Sequence, residues 1–91
     1  MPWFVVETKY VPEKYKAVRP AHREYLQALA DEGTVAVAGP VGEDIGGLIV
    51  CQAENAEELQ KILDVDPYHL EGALAERTVR EFKPVIGSWV P

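Results

Sequence analysis

Apolar residues recur along this chain with two different spacings, and the two spacings alternate from one end to the other. Residues 3–9 are aromatic and β-branched, which is typical of a strand. Residues 20–32 instead follow the i, i+3, i+4 and i+7 spacing of one helix face at positions 22, 25, 26 and 29, of which the last three are Tyr or Leu, and Gly33 follows as a stop. Pro20 suits the first position of this helix. The polar stretch of residues 11–18 is predicted to be irregular or a short helical lead-in.

The rest of the chain continues this alternation. The remaining predicted elements are a strand over residues 34–39, a turn or loop over 41–46, a strand over 47–53, a helix over 56–63, a short helix ending near residue 72 and a strand over 74–82. Asn55 and Asp66 are suited to cap the two helices. The order β-α-β-β-α-β is the ferredoxin-like α+β plan, in which helices cover one face of an antiparallel sheet. All 91 residues are expected to form this one domain.

The two middle strands are apolar on both faces. In residues 34–39, Val35 and Val37 alternate with Ala36 and Ala38, and residues 47–53 repeat the pattern. Two helices cover only one face of a four-stranded sheet, so the other face needs a cover of its own. A second copy of the chain is the simplest cover, and we therefore expect a homodimer packed sheet to sheet.

Charge and composition narrow the classes of partner. Nine basic against fifteen acidic residues give a net charge of −6, spread along the chain. Such a charge argues against nucleic acid or an anionic membrane as a partner. No apolar run approaches the roughly 18 residues that span a bilayer, and no signal-peptide pattern is present. The single cysteine, Cys51, suits a reducing compartment, so we expect a cytoplasmic protein.

No cofactor is expected from the sequence. Two histidines and one cysteine at unrelated spacings form no metal-ligand set. No glycine-rich phosphate loop precedes a helix, so a nucleotide cofactor has no support. Cys51 is expected to pack as a small apolar residue, His69 to be exposed, and Trp89 to anchor the tail or contact a second copy.

His22 is an ionisable side chain where the first helix should be apolar. It shares one helix face with Tyr25, Leu26 and Leu29, the residues expected to pack on the core. An imidazole turned inward in the first turn of a helix needs a partner for its second nitrogen. His22 is thus either a functional histidine beside a pocket or a core histidine with its hydrogen bonds satisfied.

Asp66 is the acidic partner that the sequence offers to His22. Asp before Pro is also a strong helix-capping signal, which by itself explains the residue. The two interpretations are compatible, because one carboxylate oxygen can cap while the other accepts from an imidazole N–H. A histidine oriented by a carboxylate is the minimal general acid/base unit, since the carboxylate holds one tautomer and stabilises the imidazolium.

Several short motifs resemble those of the YciI-like, or YCII-related, domain family. The first half contributes Arg-Pro-Ala-His at residues 19–22, Tyr25, Leu26, Leu29, Asp-Glu-Gly at 31–33 and Ala-Gly-Pro at 38–40. The second half contributes Asp-Pro-Tyr at 66–68, Gly72 and Phe-Lys-Pro at 82–84. Their order and spacing extend the resemblance over nearly the whole chain, although the loop at 41–46 is short for the family.

The resemblance implies a fold, an assembly and a site. The fold is the ferredoxin-like plan of the dimeric α/β-barrel type, usually a homodimer, and the family's His–Asp pair falls on His22 and Asp66. Relatives of the fold carry out isomerisation or elimination on small, often ring-shaped organic acids, and no cofactor is characteristic of them. The resemblance therefore favours the functional interpretation of His22.

Four further residues are candidates for substrate binding. Arg19 could clamp a carboxylate or phosphate, or it could form a surface ion pair. Tyr25 and Tyr68 could line a pocket, or they could pack in the core. Gly39 could let the backbone approach a ligand closely, or it could end a strand.

Two classes of function remain open at this stage. One is a cofactor-independent enzyme, of lyase or isomerase type, in which His22 and Asp66 transfer protons on a small, anionic organic acid. The other is a non-catalytic module, in which the same cleft binds a small metabolite or the pair only stabilises the dimer. The sequence does not name a substrate.

Overall fold

Four strands and three helices make up the fold of this protein, for which a computed structural model describes residues 1–90. The strands are β1 (Trp3–Tyr10), β2 (Val35–Val41), β3 (Gly46–Gln52) and β4 (Leu74–Phe82), and the helices are α1 (Tyr15–Asp31), α2 (Ala56–Asp64) and α3 (Pro67–Leu70). The strands form one antiparallel sheet in the order β2-β3-β1-β4. The ferredoxin-like α+β plan is confirmed.

Helix α1 begins five residues earlier than predicted, at Tyr15. Pro20 therefore lies inside the helix, where its missing N–H leaves the carbonyl of Lys16 without a helical partner. The first turn forms nevertheless because Tyr15 is buried and its ring stacks on Tyr10, with 4.6 Å between ring centroids. As a consequence, His22 lies two turns into the helix and not in its first turn.

The apolar core fills the space between the sheet and helices α1 and α2. It is built by Phe4, Val6, Leu26, Leu29, Val35, Ile49, Cys51, Ala53, Leu59 and Leu63. Cys51 is buried, as predicted, and burial raises the pKa of its thiol to about 11. A second cluster beside the first turn of α1 contains Tyr10, Tyr15, Tyr68 and Ala73. We call the three aromatic residues of this second cluster the tyrosine cluster.

Strand β2 contains a bulge that changes which side chains face the helices. Val35 is opposite Cys51 in the register, but Val37 is opposite Val50, so an extra residue, Ala36, lies between the two pairs. The sequence predicted Val35 and Val37 on the same face. The bulge instead places Val37 on the sheet face that points away from the helices, which we call the outer face.

The connection between β2 and β3 is shorter than predicted. Strand β2 continues to Val41 and strand β3 begins at Gly46, so only residues 42–45 remain for the turn. Gly42 and Asp44 adopt positive φ angles of 58° and 64° there. Asp is among the few residue types besides Gly that enter this left-handed region with any frequency.

The segment after β4 leaves apolar side chains in solvent. Val85, Ile86 and Trp89 are all exposed, so Trp89 does not anchor the tail within this chain, contrary to one of its two predicted roles. Within residues 1–90, none of the three helices is long and apolar enough to cross a bilayer.

Candidate functional site

His22 and Asp66 lie in contact, although 44 positions separate them in the sequence. The Nδ1 atom of His22 is 2.8 Å from Oδ1 and 2.9 Å from Oδ2 of Asp66. The side chains are 14% and 5% exposed, respectively. Because a carboxylate can only accept, Nδ1 carries the proton in this contact, and Nε2 of the neutral ring is left with its lone pair.

Asp66 also caps helix α3. Its Oδ1 atom accepts from the backbone N–H of Tyr68 at 2.9 Å, and Pro67 takes the first helical position. The capping interpretation and the His-partner interpretation therefore both describe this residue. The cap fixes the carboxylate, and the fixed carboxylate fixes the imidazole ring.

The ring of His22 stacks on the ring of Tyr68. The two rings stack with 3.7 Å between centroids and an interplanar angle of 12°. The Tyr68 side chain is almost fully buried, and its hydroxyl oxygen accepts from Nε of Arg19 at 3.1 Å. The imidazole is thus held by a hydrogen bond at one edge and by an aromatic face beneath it.

Arg19 is held by an acidic residue that the sequence analysis missed. Its Nη2 and Nη1 atoms donate to Oδ1 and Oδ2 of Asp44 at 2.7 and 3.2 Å, and the Tyr15 hydroxyl donates to Oδ2 at 3.0 Å. The hydrogen bonds from Arg19 and Tyr15 lower the pKa of the Asp44 carboxyl, and the same carboxylate raises the pKa of Arg19. Only the tolerance of Asp for a positive φ in a short turn could have pointed to Asp44.

A cavity of about 330 Å³ lies beside His22, between α1 and strands β2 and β3. Its wall includes the apolar side chains of Val6, Leu26, Val35, Ile49 and Leu63. Four residues singled out in the sequence also line it, namely Arg19, Gly39, Asp66 and Tyr68. A cavity of this size with apolar walls and a few convergent polar groups is typical of a small-molecule site.

In the His22–Asp66 pair, the Nε2 atom of His22 is free to form a hydrogen bond with a ligand or with water. It has no hydrogen-bond partner among residues 1–90. In that part of the chain, every buried polar side-chain atom does have a partner, so an atom without one cannot be buried. Nε2 is therefore reachable by solvent. The lone pair of the imidazole is accessible beside the cavity.

Two of the candidate binding residues have different surroundings. The structure does not bring Tyr25 to the cavity, because its hydroxyl donates to the backbone carbonyl of Ile62 at 2.7 Å and so ties α1 to α2. Gly39 does line the cavity, and a Cβ built there would meet no atom within 4 Å. Strand β2 continues to Val41, so Gly39 does not end it, and close approach of the backbone to a ligand at this position stays a prediction.

Two cavity residues were not predicted, because they lie outside the helix face that His22 shares with Tyr25, Leu26 and Leu29. Arg23 and Gln27 are exposed, yet both line the cavity. Both residues therefore form part of the cavity rim on the side of α1 that faces solvent. A helical periodicity alone does not show such a rim.

The second histidine lies outside the cavity. His69 is exposed, as predicted, and its Nδ1 atom is 3.3 Å from Nη1 of Arg77. Within residues 1–90, no three His, Cys, Asp or Glu side chains come together in a way that could hold a metal ion.

The chain is similar to known proteins both in sequence and in fold. Protein YciI of Escherichia coli O6:H1 is 36% identical over 83 residues, a match that covers 80% of this chain and 85% of YciI. Among solved structures, the chain is similar to 5-chloro-2-hydroxyhydroquinone dehydrochlorinase (TftG) from Burkholderia phenoliruptrix AC1100, in complex with 2,5-dihydroxybenzoquinone. The TM-score is 0.79 and the sequence identity is 23%, and the match covers 98% of this chain and 99% of TftG. An antibiotic biosynthesis monooxygenase is similar with a TM-score of 0.64 and 15% identity, covering 94% of this chain and all of the other.

The two structural matches are below 25% identity and show the fold alone. The family assignment rests on sequence. The model of the YCII-related domain matches residues 3–83, nearly the whole chain, and the YciI match exceeds 30% identity over four fifths of it. This chain therefore belongs to the YCII-related domain family.

Proposed function

We propose that this protein is a cofactor-independent enzyme of the lyase or isomerase type that transfers a proton on a small organic acid. His22 is the general base and then the general acid, and Asp66 orients and stabilises it. The observation that carries the proposal is the arrangement of the imidazole, with Nδ1 held 2.8 Å from Asp66 and Nε2 without a partner in residues 1–90 beside a cavity.

The proton balance of such a reaction is simple. The lone pair of Nε2 takes a proton from an acidic C–H or O–H of the substrate, and the resulting imidazolium is stabilised by the Asp66 carboxylate. In an isomerisation the proton returns to a different atom of the same molecule. In an elimination the substrate forms a double bond as a leaving group departs as its anion, and the imidazolium then gives its proton to water.

The structural neighbour supports the reaction class. TftG is a dehydrochlorinase of a chlorinated, hydroxylated ring, and its structure holds 2,5-dihydroxybenzoquinone. Removal of hydrogen chloride is an elimination, which requires a base. A planar, acidic ring of that size is compatible with a cavity of about 330 Å³. The likeness gives a probe compound for experiments on this chain.

A second candidate function uses the same cavity without chemistry. A module that binds a small metabolite, or a pair that only stabilises the fold, would also place a satisfied histidine at this position. The stacking of His22 on Tyr68 and its contact with a helix cap favour this alternative, because both contribute to stability. An experiment must therefore detect the proton transfer itself.

Exchange of ring hydrogens with solvent deuterium separates the two functions. We expect the protein to accelerate replacement of the C3 and C6 hydrogens of 2,5-dihydroxybenzoquinone by deuterium in D2O, followed by NMR. The His22→Asn variant should return exchange to the background rate. An Asn amide can still donate to Asp66, so the buried carboxylate keeps a partner and the fold is retained.

The His69→Ala variant is the matched control, because His69 is exposed and does not line the cavity. It should exchange the probe as the wild type does. Binding of the probe to the wild type without accelerated exchange would support the metabolite-binding module. Acceleration that survives in a folded His22→Asn protein would refute the role of His22.

We also propose that the active form is a homodimer and that it functions in the cytoplasm. The homodimer is supported by apolar side chains on the outer face of the sheet, which no element of residues 1–90 covers. They are Trp3, Val5, Val37, Leu48, Val50 and Phe82. The cytoplasmic location is supported by the single, buried and unpaired cysteine.

A further inference from the structure

Charge is balanced around the cavity except at one residue. Most of the charged side chains that line it have a partner of opposite charge or one that accepts their hydrogen bonds. These contacts are Arg19 with Asp44 at 2.7 Å, Arg77 with Asp64 at 2.8 Å, and Asp66 with the imidazole of His22 at 2.8 Å. Arg23 also lines the cavity, and within residues 1–90 its side chain makes neither a hydrogen bond nor an ion pair.

The position of Arg23 places a free cation beside the reactive histidine. Arg23 follows His22 on α1, and Gln27, one turn further along, lines the same side of the cavity. Both residues are exposed while lining the cavity, so they form part of its rim. A ligand that enters past them meets the guanidinium before it reaches the imidazole.

We propose that Arg23 binds the anionic group of the substrate, which we infer to be a small planar acid carrying a carboxylate or a ring enolate. This inference rests on the proposed function and adds the substrate-binding residue to it. The guanidinium offers a planar fork of donors that matches two oxygens of such a group. The apolar walls then cover the ring, and an acidic C–H or O–H of the ring faces Nε2 of His22.

The overall charge of the protein makes an unpaired arginine at this rim more informative. A chain with a net charge of −6 repels small anions on average. The ion pairs of Arg19 and Arg77 leave those two residues with little charge to attract an anion. Arg23 therefore supplies the local attraction that an anionic substrate needs.

Binding of matched anionic and neutral probes tests this role. The probes are 2,5-dihydroxybenzoquinone, which is an anion in neutral water, and its neutral dimethyl ether, 2,5-dimethoxybenzoquinone. Benzoate and benzamide form a second pair. Their affinities would be measured by NMR titration at low salt for the wild type and for Arg23→Gln, Arg23→Lys and Lys16→Gln.

We expect Arg23→Gln to weaken binding of each anion about tenfold and to leave the neutral partner unchanged. Arg23→Lys keeps the charge but not the fork, so it should recover part of the loss. Lys16→Gln removes a cation from α1 that does not line the cavity, and it should bind every probe as the wild type does. Added salt should weaken the anions in the wild type more than in Arg23→Gln.

The outcomes separate this inference from the proposed function. If Arg23→Gln binds the anions as tightly as the wild type while His22→Asn still loses deuterium exchange, Arg23 has no role and the base remains. If the anions bind the wild type no better than their neutral partners, the anion-binding role is refuted. If no probe binds the wild type and no exchange occurs, both the inference and the proposed function fail for ring acids.

Discussion

Asp66 shows how one side chain can serve the fold and the site together. Its Oδ1 atom accepts both from the Tyr68 backbone and from the His22 ring, while Oδ2 contacts the same ring nitrogen. The sequence predicted this pair because Asp before Pro marks a helix start and because His22 lies on the buried face of a helix. It did not predict the stacking on Tyr68, since the distance between two rings depends on how α1 and α3 pack.

The double role of Asp66 predicts the cost of losing its charge. Asp66→Ser keeps a helix cap but leaves the N–H of the largely buried His22 ring without its carboxylate. We expect it to lower the free energy of unfolding by about 1–3 kcal/mol, measured by urea denaturation. Asn55→Ser is the control, because Asn55 caps α2 on the exposed side and Ser caps about as well. Equal, small losses in the two variants would mean that Asp66 acts as a cap alone.

Cys51 provides a second prediction at this scale. The thiol is buried and its pKa is raised to about 11, so it stays protonated through neutral pH. We expect the native protein to react with a disulfide reagent at pH 8 far more slowly than the protein unfolded in guanidinium. Rapid reaction of the native protein would show that β3 opens easily at Cys51.

At the scale of the elements, departures from the predicted boundaries have local causes. Pro20 is typical of a helix start, but the buried ring of Tyr15 makes one more turn favourable ahead of it. The bulge at Ala36 reverses the alternation of β2, and nothing in a run of Val and Ala distinguishes a bulged strand from a regular one. Both departures arise from tertiary packing, which a periodicity in sequence does not contain.

Asp44, in the turn between β2 and β3, should make the stability of the protein depend on pH. The hydrogen bond from Arg19 lowers the pKa of Asp44 below the ordinary value of 3.8, so the ionised carboxylate favours the folded state. Its contribution is complete above the unfolded-state pKa and is lost as the pH falls through the lower, folded-state pKa. We expect the wild type to exceed Asp44→Asn in free energy of unfolding at pH 6, and the difference to disappear in acid. A difference that is the same at pH 6 and pH 2.5 would contradict this account.

A side chain larger than hydrogen at position 46 should disturb the pairing of β1 with β3. A Cβ at this position would lie only 1.9 Å from the carbonyl oxygen of Thr8, a backbone atom that cannot move without shifting the strand. We expect Gly46→Ala to lower the free energy of unfolding by about 1–3 kcal/mol or more. Gly39→Ala, where a Cβ meets no atom within 4 Å, should stay within about 0.5 kcal/mol of the wild type. Similar losses in both variants would show that the close approach to the Thr8 carbonyl is not the cause.

At the scale of the whole molecule, the outer face of the sheet carries apolar side chains that no element of residues 1–90 covers. Val37 and Phe82 are 44% and 43% exposed there, on a face with two ion pairs, Arg80 with Glu7 and Lys9 with Glu76. The sequence predicted an uncovered apolar face from strands that are apolar on both sides. Uncovered apolar faces are typical of protein–protein interfaces, so we expect a second copy of the chain to cover this one.

A homodimer can be tested by mass and by substitution. Light scattering at micromolar concentration should give about twice the chain mass of 10.1 kDa. Val50→Asp places a charge in the middle of the outer face and should yield monomers. Leu70→Asp is the control, because Leu70 is exposed on α3, away from that face. A monomeric wild type would refute the assembly.

The position of the cavity beside an edge strand has a consequence for protein engineering. Asp66 both caps α3 and contacts His22, so under the proposed function its replacement would alter folding and chemistry together, and the pair is a poor place to begin a redesign. Ala36 and Ala38 also line the cavity, and they belong to a strand that pairs on one side only. A combinatorial library restricted to these two small residues would vary the shape offered to a ring while His22 and Asp66 stay in place. Selection for a new substrate could then proceed separately from selection for stability.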